Sequence, residues 1–531
     1  MWAHERAQQS ERDKKFSVPS DELRIAVTFK RRDGGGGPTT FEPPMTLSSV
    51  GAFVPDSLMV DQAVHRLSQI GFRPSQRGKL TASFRVTREI FQQTFGTQLE
   101  KVSLDPKIDY AFQSFYYPPS GASWSMPPEI GALIDDAYIQ WPHIYMASRR
   151  RAAHRLSPHK RTGATAKTRR KAAKAGTAGG APSATPPRVD YFCLDMPNDV
   201  PKLLNVAKVH KAGTTGKGVR VAMVDTGFAH SHPYFVAKRY LTSVDLAPHA
   251  TNDSIDLSGH GTGESANLLA VAPGITFVGI KVENDDDPRR GASLLEGFQQ
   301  ALLHDPQIIS LSMGFDLRLS NGSQRKALPN GMAALEAEIQ AAVAKGIVVV
   351  FSCGNGHFSF PGMMPDVISA GGVFVDAHGA MQASDYASAF QSKIYPGRYV
   401  PDFCGLVGML PRASYIALPV PPGCEIDHEM SRPEGSHPGD GTAPNDGWGV
   451  FSGTSAAAPQ LAGVCALLLE KDPKLKPSDI KSILRRSARS VTTGHANPSS
   501  SDDNVGEPAN ASDTGACGAG LVDAFAAWRQ L

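Results

Sequence analysis

Residues 218–227 read GVRVAMVDTG. A short Val-rich run of this kind, apolar at successive positions, is the pattern of a strand buried on both faces. Working outward, the pattern recurs as ITFVGIKV at 275–282, IISLSMG at 308–314, GIVVVFSCGN at 346–355 and DVISAGGVFV at 366–375. Helical segments lie between these runs: GESANLLAV, GASLLEGFQQALLHD and GMAALEAEIQAAVAKG. The alternation predicts an α/β fold, a doubly wound and mostly parallel sheet with helices on both faces. In such sheets reactive groups collect beyond the C-terminal ends of strands. Asp225 and Asn355 each stand where a strand run ends.

The chain has 531 residues, more than one ordinary core accommodates, so two domains with connectors are expected. Residues 21–147 read as a small α+β domain. DELRIAVTFK alternates like a strand, and Val60, Ala63, Val64 and Leu67 recur at helical spacing up to Gly71. LTASFRV is a second strand, and TREIFQQTFG a short helix closed by Gly96. Residues 1–20 are expected to be disordered, 148–187 to form a linker and 188–531 to form the α/β domain. Between Arg149 and Lys174 there are eleven Lys and Arg and no acid, among small residues that cannot bury a core. The rest of the chain is therefore net acidic. No aromatic residue interleaves the basic tract, so no nucleic acid is expected as a partner.

No apolar run approaches the ~18 residues of a membrane span, so no membrane partner is expected. The first residues, MWAHERAQQSERDKK, lack the apolar stretch of a secretory signal, which favours a cytoplasmic location or a non-classical export route. The six cysteines show no CxxC pair and no metal-ligand spacing. Free buried thiols are expected, with Cys404–Cys424 the best-placed pair if one bridges.

Four local sequences carry chemistry. In FSGTSAAAPQLAGVCALLLE (451–470), Ser455 follows a glycine turn and opens an apolar helix, whose N-terminal dipole favours a developing oxyanion. Such a serine can equally be an N-cap. In LSGHGTGESANLLAVAPG (257–274), glycines flank His260 at a helix start, and a serine nucleophile needs a base of that kind within reach. Asp225 suits the third role, orienting the imidazole and stabilising its cation. Asn355, between two glycines in VVVFSCGNG, can aim an amide at an oxyanion. Each of these residues also has a structural reading when taken alone.

Together, in the order Asp, His, Asn, Ser, the blocks VDTG, GHGT, CGNG and SGTSAAAP resemble those of the subtilisin-like serine proteases over roughly residues 195–530. The resemblance implies a serine endopeptidase acting on protein or peptide substrates without a cofactor. Asp225, His260 and Ser455 would form the triad, and Asn355 with the Ser455 amide the oxyanion hole. Ser312, Met313 and Gly314 would line the substrate backbone, and Ser352, Cys353 and Gly354 the primary specificity pocket. The chain departs from that family where a second histidine is common, at Gly263, so no metal is expected there. It also lacks the Asn-rich insertion that holds a calcium ion, and Phe315 stands where glycine is common.

Glu264 lies one helical turn after His260, a spacing at which the related sedolisins carry a Glu and an Asp. Here a helix-surface carboxylate is the plainer expectation. Residues 20–145, through AVHRLSQIGFRPSQRGKLTASFRVTREIFQQTFGTQLEKV, resemble the activation prodomain of sedolisin-type peptidases. That resemblance implies a zymogen whose N-terminal domain blocks the cleft until the chain is cut, expected between Arg149 and Pro187. An exopeptidase of the tripeptidyl type, or a non-catalytic peptide-binding protein with this fold, are the alternatives. The acidic run Asp285, Asp286 and Asp287 would favour basic substrates if it faces the cleft, or would otherwise be a solvated loop.

Overall fold

The computed structural model describes residues 19–40, 45–104, 111–119, 122, 124–145, 182–196, 198–409, 414–433, 438–497 and 506–531. Of the N-terminus expected to be disordered (1–20), residues 1–18 lie outside the described residues, as does most of the linker (148–181).

The first domain is built on an antiparallel sheet. β1 (Glu22–Phe29) is followed by α1 (Ser57–Gln69), β2 (Arg73–Arg77), β3 (Thr81–Thr87), α2 (Arg88–Phe95) and β4 (Ile134–Ile139), and the strand order is β2-β3-β1-β4. Asp56 caps α1 by accepting from the N–H groups of Leu58 and Met59, and Gly96 ends α2 with φ of 60°. Leu23, Ile25, Val27 and Phe29 share one face of β1 and pack with Phe84, Phe91 and Phe95. The other face, Arg24, Ala26 and Thr28, would normally be left to water, yet it is buried as well. What covers it is the second domain. β5 (Ile144–Tyr145) closes the described part of this region.

The second domain carries an eight-stranded sheet. It comprises β6 (Arg220–Asp225), β7 (Thr242–Leu246), β8 (Thr276–Lys281), β9 (Ile308–Leu311), β11 (Val348–Ser352), β13 (Ile368–Val375), β14 (Met381–Ala383) and β15 (Phe403–Leu406). The strand order is β14-β13-β11-β9-β6-β8-β7, with β15 alongside β13. All pairings are parallel except that of β13 with β14. β6 is an inner strand, flanked by β9 and β8. Its Val221 and Met223 enter one core and Ala222 and Val224 the other, which explains why the run is apolar throughout. One core includes the long helix α6 (Thr454–Lys471). The other includes α4 (Leu294–Leu302) and α5 (Asn330–Ala344). Helix α3 (His260–Val271) and strand β10 (Met313–Asp316), which pairs antiparallel with β12 (Ser359–Phe360), bring further residues to the sheet's C-terminal edge.

Helices α4 and α5 are the cover for the polar face of the first domain. Arg85 of β3 donates to Glu296 of α4 at 2.7 Å with both side chains buried, and Ser83 donates to Gln299 at 3.1 Å. Glu338 of α5 is buried and accepts from the N–H groups of Lys79, Leu80 and Thr81 and from the Thr81 hydroxyl at 2.7–3.0 Å. A Cβ at Gly78 would come within 2.3 Å of that carboxylate, so the glycine permits the approach. A buried acid is tolerable only with donors of this kind around it.

Two sequence expectations change here. Residues 182–187 are not a free tail, because Trp448 Nε1 donates to the Ser183 carbonyl at 2.9 Å and Pro182 reaches Gly447. Cys404 does not face Cys424. It neighbours Cys517, whose carbonyl its thiol approaches at 3.4 Å, while Cys424 caps a helix at Asp427. All six thiols are free.

Replacing Glu338 with alanine strips the acceptor from four donors and leaves buried N–H groups unpaired, at about 1–3 kcal/mol for each one not rescued by water. Thermal unfolding of the full-length chain is expected to shift down by several degrees. An unchanged melting temperature would mean that the interface does not depend on this contact.

Candidate active site

The site forms where β6 ends. Asp225 is its last residue, and its Oδ1 accepts both from Nδ1 of His260 at 2.6 Å and from the Thr226 N–H at 2.8 Å. His260 begins α3, so the strand end and the helix start must nearly touch. A Cβ on Gly261 would lie 2.3 Å from the Gly227 carbonyl and 2.9 Å from the Asp225 Cβ, so only glycine fits at that point.

A buried carboxylate that the sequence reading passed over fastens this contact. Asp256 accepts from the Thr226 hydroxyl (2.9 Å), the Gly259 N–H (2.9 Å), the Thr262 N–H (2.9 Å) and the Thr262 hydroxyl (2.7 Å). Thr226 Oγ1 in turn accepts from the Gly261 N–H at 3.0 Å. The turn into α3 and the loop after β6 are thus tied to one side chain. DLSGHGT carries the signal in retrospect, because an acid just ahead of a glycine-started helix has orphan N–H groups to satisfy.

Ser455 is the second residue of α6 and is fully buried, with no hydrogen-bond partner for Oγ among the described residues. Asn355 lies just beyond β11. Its Oδ1 accepts from the Thr454 N–H and the Thr454 hydroxyl, both at 2.9 Å, which fixes the amide and leaves its NH₂ directed away from that contact. The Gly354 N–H bonds Thr454 Oγ1 at 3.2 Å, with Gly354 at a φ of 100°. Burial alone would depress the proton affinity of His260, but the Asp225 charge and hydrogen bond, helped by Glu264 and Asp256, outweigh it and raise the imidazole to about 9.

The remaining predicted residues gather around these four. Ser312 donates its hydroxyl to the Ser455 carbonyl at 3.0 Å. Met313 and Gly314 lie on β10, whose free side pairs antiparallel with β5: Met313 opposite Tyr145, and Gly314 opposite Ile144. Ser352 ends β11, and the Cys353 thiol is turned into the core against the Ser388 carbonyl at 3.1 Å, so backbone rather than sulfur is presented at that position. Phe315 packs against Phe360 with ring centres 6.3 Å apart and the planes tilted by 33°. Gly263 packs against Phe451, whose ring tip would meet an added Cβ at 2.7 Å, so no second histidine fits there. Glu264 is not a surface residue but is wholly buried. The acidic run is largely self-neutralised: Asp285 bonds Lys281 at 2.8 Å and Asp287 bonds Arg289 at 2.7 Å.

The model of the subtilase family matches residues 216–516, more than half of the chain and all four of these positions. The chain belongs to the subtilase family. Subtilisin E of Bacillus subtilis is 25% identical over 315 residues, covering 56% of this chain and 68% of that protein. Serine protease AprX of the same organism is 27% identical over 295 residues, covering 51% and 61%. Among solved structures, fervidolysin from Fervidobacterium pennivorans, a keratinolytic enzyme related to subtilisin, aligns over 96% of this chain with a TM-score of 0.53 and 16% identity. The chain spans 61% of fervidolysin's length, and that likeness speaks to fold alone. This subtilase is therefore a serine peptidase with the subtilisin-like fold. The family match leaves residues 21–147 outside it, so the sedolisin-type resemblance of the first domain gains nothing from these comparisons.

Asp256→Ala is expected to lower kcat by about 10²-fold with KM little changed, since small displacements of a reacting group carry losses of that order. Steady-state kinetics on a peptide substrate test this. Unaltered kcat would mean that the turn holds His260 in place without the carboxylate.

Proposed function

We propose that this chain is a serine endopeptidase made as a zymogen, with Asp225, His260 and Ser455 as its catalytic triad. The single observation that carries the reading is the convergence of a 2.6 Å Asp–His bond with a serine at a helix N-terminus, beside a strand already paired with a peptide segment. Neutral His260 takes the Ser455 proton as Oγ attacks the scissile carbonyl. Asp225 holds the ring and stabilises its cation. The resulting oxyanion is met by the Asn355 NH₂ and the Ser455 N–H, aided by the positive end of α6. The imidazolium then protonates the leaving amine, and water releases the acyl group by the same steps reversed.

Residues 144–145 support the zymogen and endopeptidase parts of this reading. They occupy β10 as a substrate would, by backbone pairing that ignores side-chain identity. This segment is internal, with chain on both sides of it, and a cleft that accepts an internal segment favours an endopeptidase over a tripeptidyl peptidase. The polar contacts of α4 and α5 with β3 hold the first domain over the same cleft. Its partner in the chain's own life is then the peptidase domain itself.

The pairing also moves the expected cut. The paired segment runs from Ile144, opposite Gly314, to Tyr145, opposite Met313, and so heads toward Ser312, whose hydroxyl bonds the Ser455 carbonyl. The first cut is therefore expected within a few residues after Tyr145, upstream of the basic tract from Arg149. A later trim within 149–181 would still leave Pro182 and Ser183 on the mature domain, where Trp448 holds them.

Ser455→Ala should reduce turnover by several orders of magnitude and accumulate at full length. Asn355→Ala should reduce kcat by about 10²–10³-fold. The intact mass of the fragment released by the active enzyme should correspond to a C-terminus after Tyr145 and before Arg149. A first product ending beyond Arg149 would contradict the register argument. Full activity of the uncut chain would contradict the zymogen.

A further inference from the structure

Glu264 has no role in the chemistry described so far. It follows His260 by one turn of α3, and its side chain is entirely removed from solvent. Oε2 accepts from Asn267 Nδ2 at 2.7 Å. Oε1 is equally buried and makes no hydrogen bond among the described residues, although the carboxyl lies beside the Ser455 hydroxyl and the His260 imidazole. The Ser455 hydroxyl is in the same condition, buried and unpartnered. An acid left half-satisfied between two packed helices is costly, and an apolar residue of similar volume would fill the space without that cost. Retention of such a group beside a nucleophile and its base points to a use in the reaction.

We infer that Glu264 is a positioning residue of the reaction centre, accepting a hydrogen bond from the Ser455 hydroxyl and strengthening His260 as a base through its charge. This rests on the assignment of Ser455 and His260 above. It requires no change in the order of bond making. Glu264 orients the hydroxyl before attack, and its charge opposes that of the imidazolium formed during attack.

The ionisable surroundings of Glu264 are few. His260 and Asn267 come from its own helix, Asp225 from β6, Asp256 from the turn ahead of α3, and Ser455 from α6. Strands at Ile416–Pro419 and Trp448–Phe451 present Leu418 and Phe451 to α3 at Gly263, and the helix at Asp199–Leu203 buries Val200 and Pro201. Burial pushes the carboxyl up to about 7, against the pull of His260, of the Asn267 hydrogen bond and of the neighbouring Ser455 hydroxyl. With the imidazole raised to about 9, the carboxylate and the imidazolium coexist between those two values. The two groups titrate as a coupled pair. Removing the carboxylate charge must then lower the proton affinity of His260, and the enzyme must gain its neutral base at lower pH.

The test is the pH dependence of kcat/KM for the matured enzyme and two variants. In the wild type the acid limb should lie above pH 6.5, because His260 is raised from that ordinary value. Glu264→Gln keeps shape and the Asn267 contact but not the charge. Its acid limb should move to lower pH by about one unit, the scale of a charge within a few ångströms, with kcat on the plateau reduced and KM unchanged. Glu264→Asp keeps the charge one methylene further back, and its limb should fall between the other two, which decides the question if the glutamine variant does not fold. Limbs coincident with wild type in both variants, alongside lowered melting temperatures, would make Glu264 a packing residue and overturn the inference. Ser455→Ala separates the two levels of the argument. If that variant retains activity, the assignment of the nucleophile fails. If it is inactive while the acid limbs stay put, only the role of Glu264 fails.

Discussion

The close approach of a strand end to a helix start is the constraint on which the rest of this molecule depends. Asp225 and His260 meet at 2.6 Å only because α3 begins almost on top of the C-terminal end of β6. Two residue choices allow it. Gly261 has no Cβ to strike the Gly227 carbonyl, and Asp256 gathers the N–H and hydroxyl donors of the turn into one carboxylate. The inner place of β6 in a sheet buried on both faces gives this junction a rigid base. Preorganisation here is therefore a property of backbone packing, to which the side-chain chemistry is added.

The same logic governs how the two domains meet. The first domain has an apolar face that makes its own core and a polar face that would be ordinary if it were wet. It is instead dry, and each buried charge on it has a partner across the boundary: Arg85 with Glu296, and the 79–81 turn with Glu338. Contacts of this type fix orientation more than they add affinity, because desolvation offsets much of their attraction. The orientation they fix brings Ile144 and Tyr145 onto β10, beside the serine.

Much of this could be read from the chain, for identifiable reasons. Strands such as GVRVAMVDTG announce themselves because both faces need apolar residues, and the helices of the first domain because Asp56, Gly71 and Gly96 mark their ends. The four candidate residues stand out because each sits in a glycine-bearing turn after a strand or at a helix start, where backbone geometry restricts the residue types. Asp256 and Glu264 do not, because burial at long range decides their roles and a single helical spacing cannot tell a dry face from a wet one. The burial of the polar face of β1 is not legible for the same reason: alternation reports that one face is apolar, and says nothing of what a second domain places on the other. The cut expected in the basic tract came from exposure and composition, whereas the pairing of β5 with β10 joins residues far apart in the chain.

The proposed mechanism requires Ser455 to be an activated nucleophile that the first domain shields. A fluorophosphonate probe, followed by peptide mass mapping, addresses both points in one measurement. A single adduct on Ser455 is expected in the processed enzyme, with little or none on the uncut chain. An adduct on another residue, or none after processing, would contradict the assignment of the nucleophile, and equal labelling of cut and uncut chains would contradict the shielding.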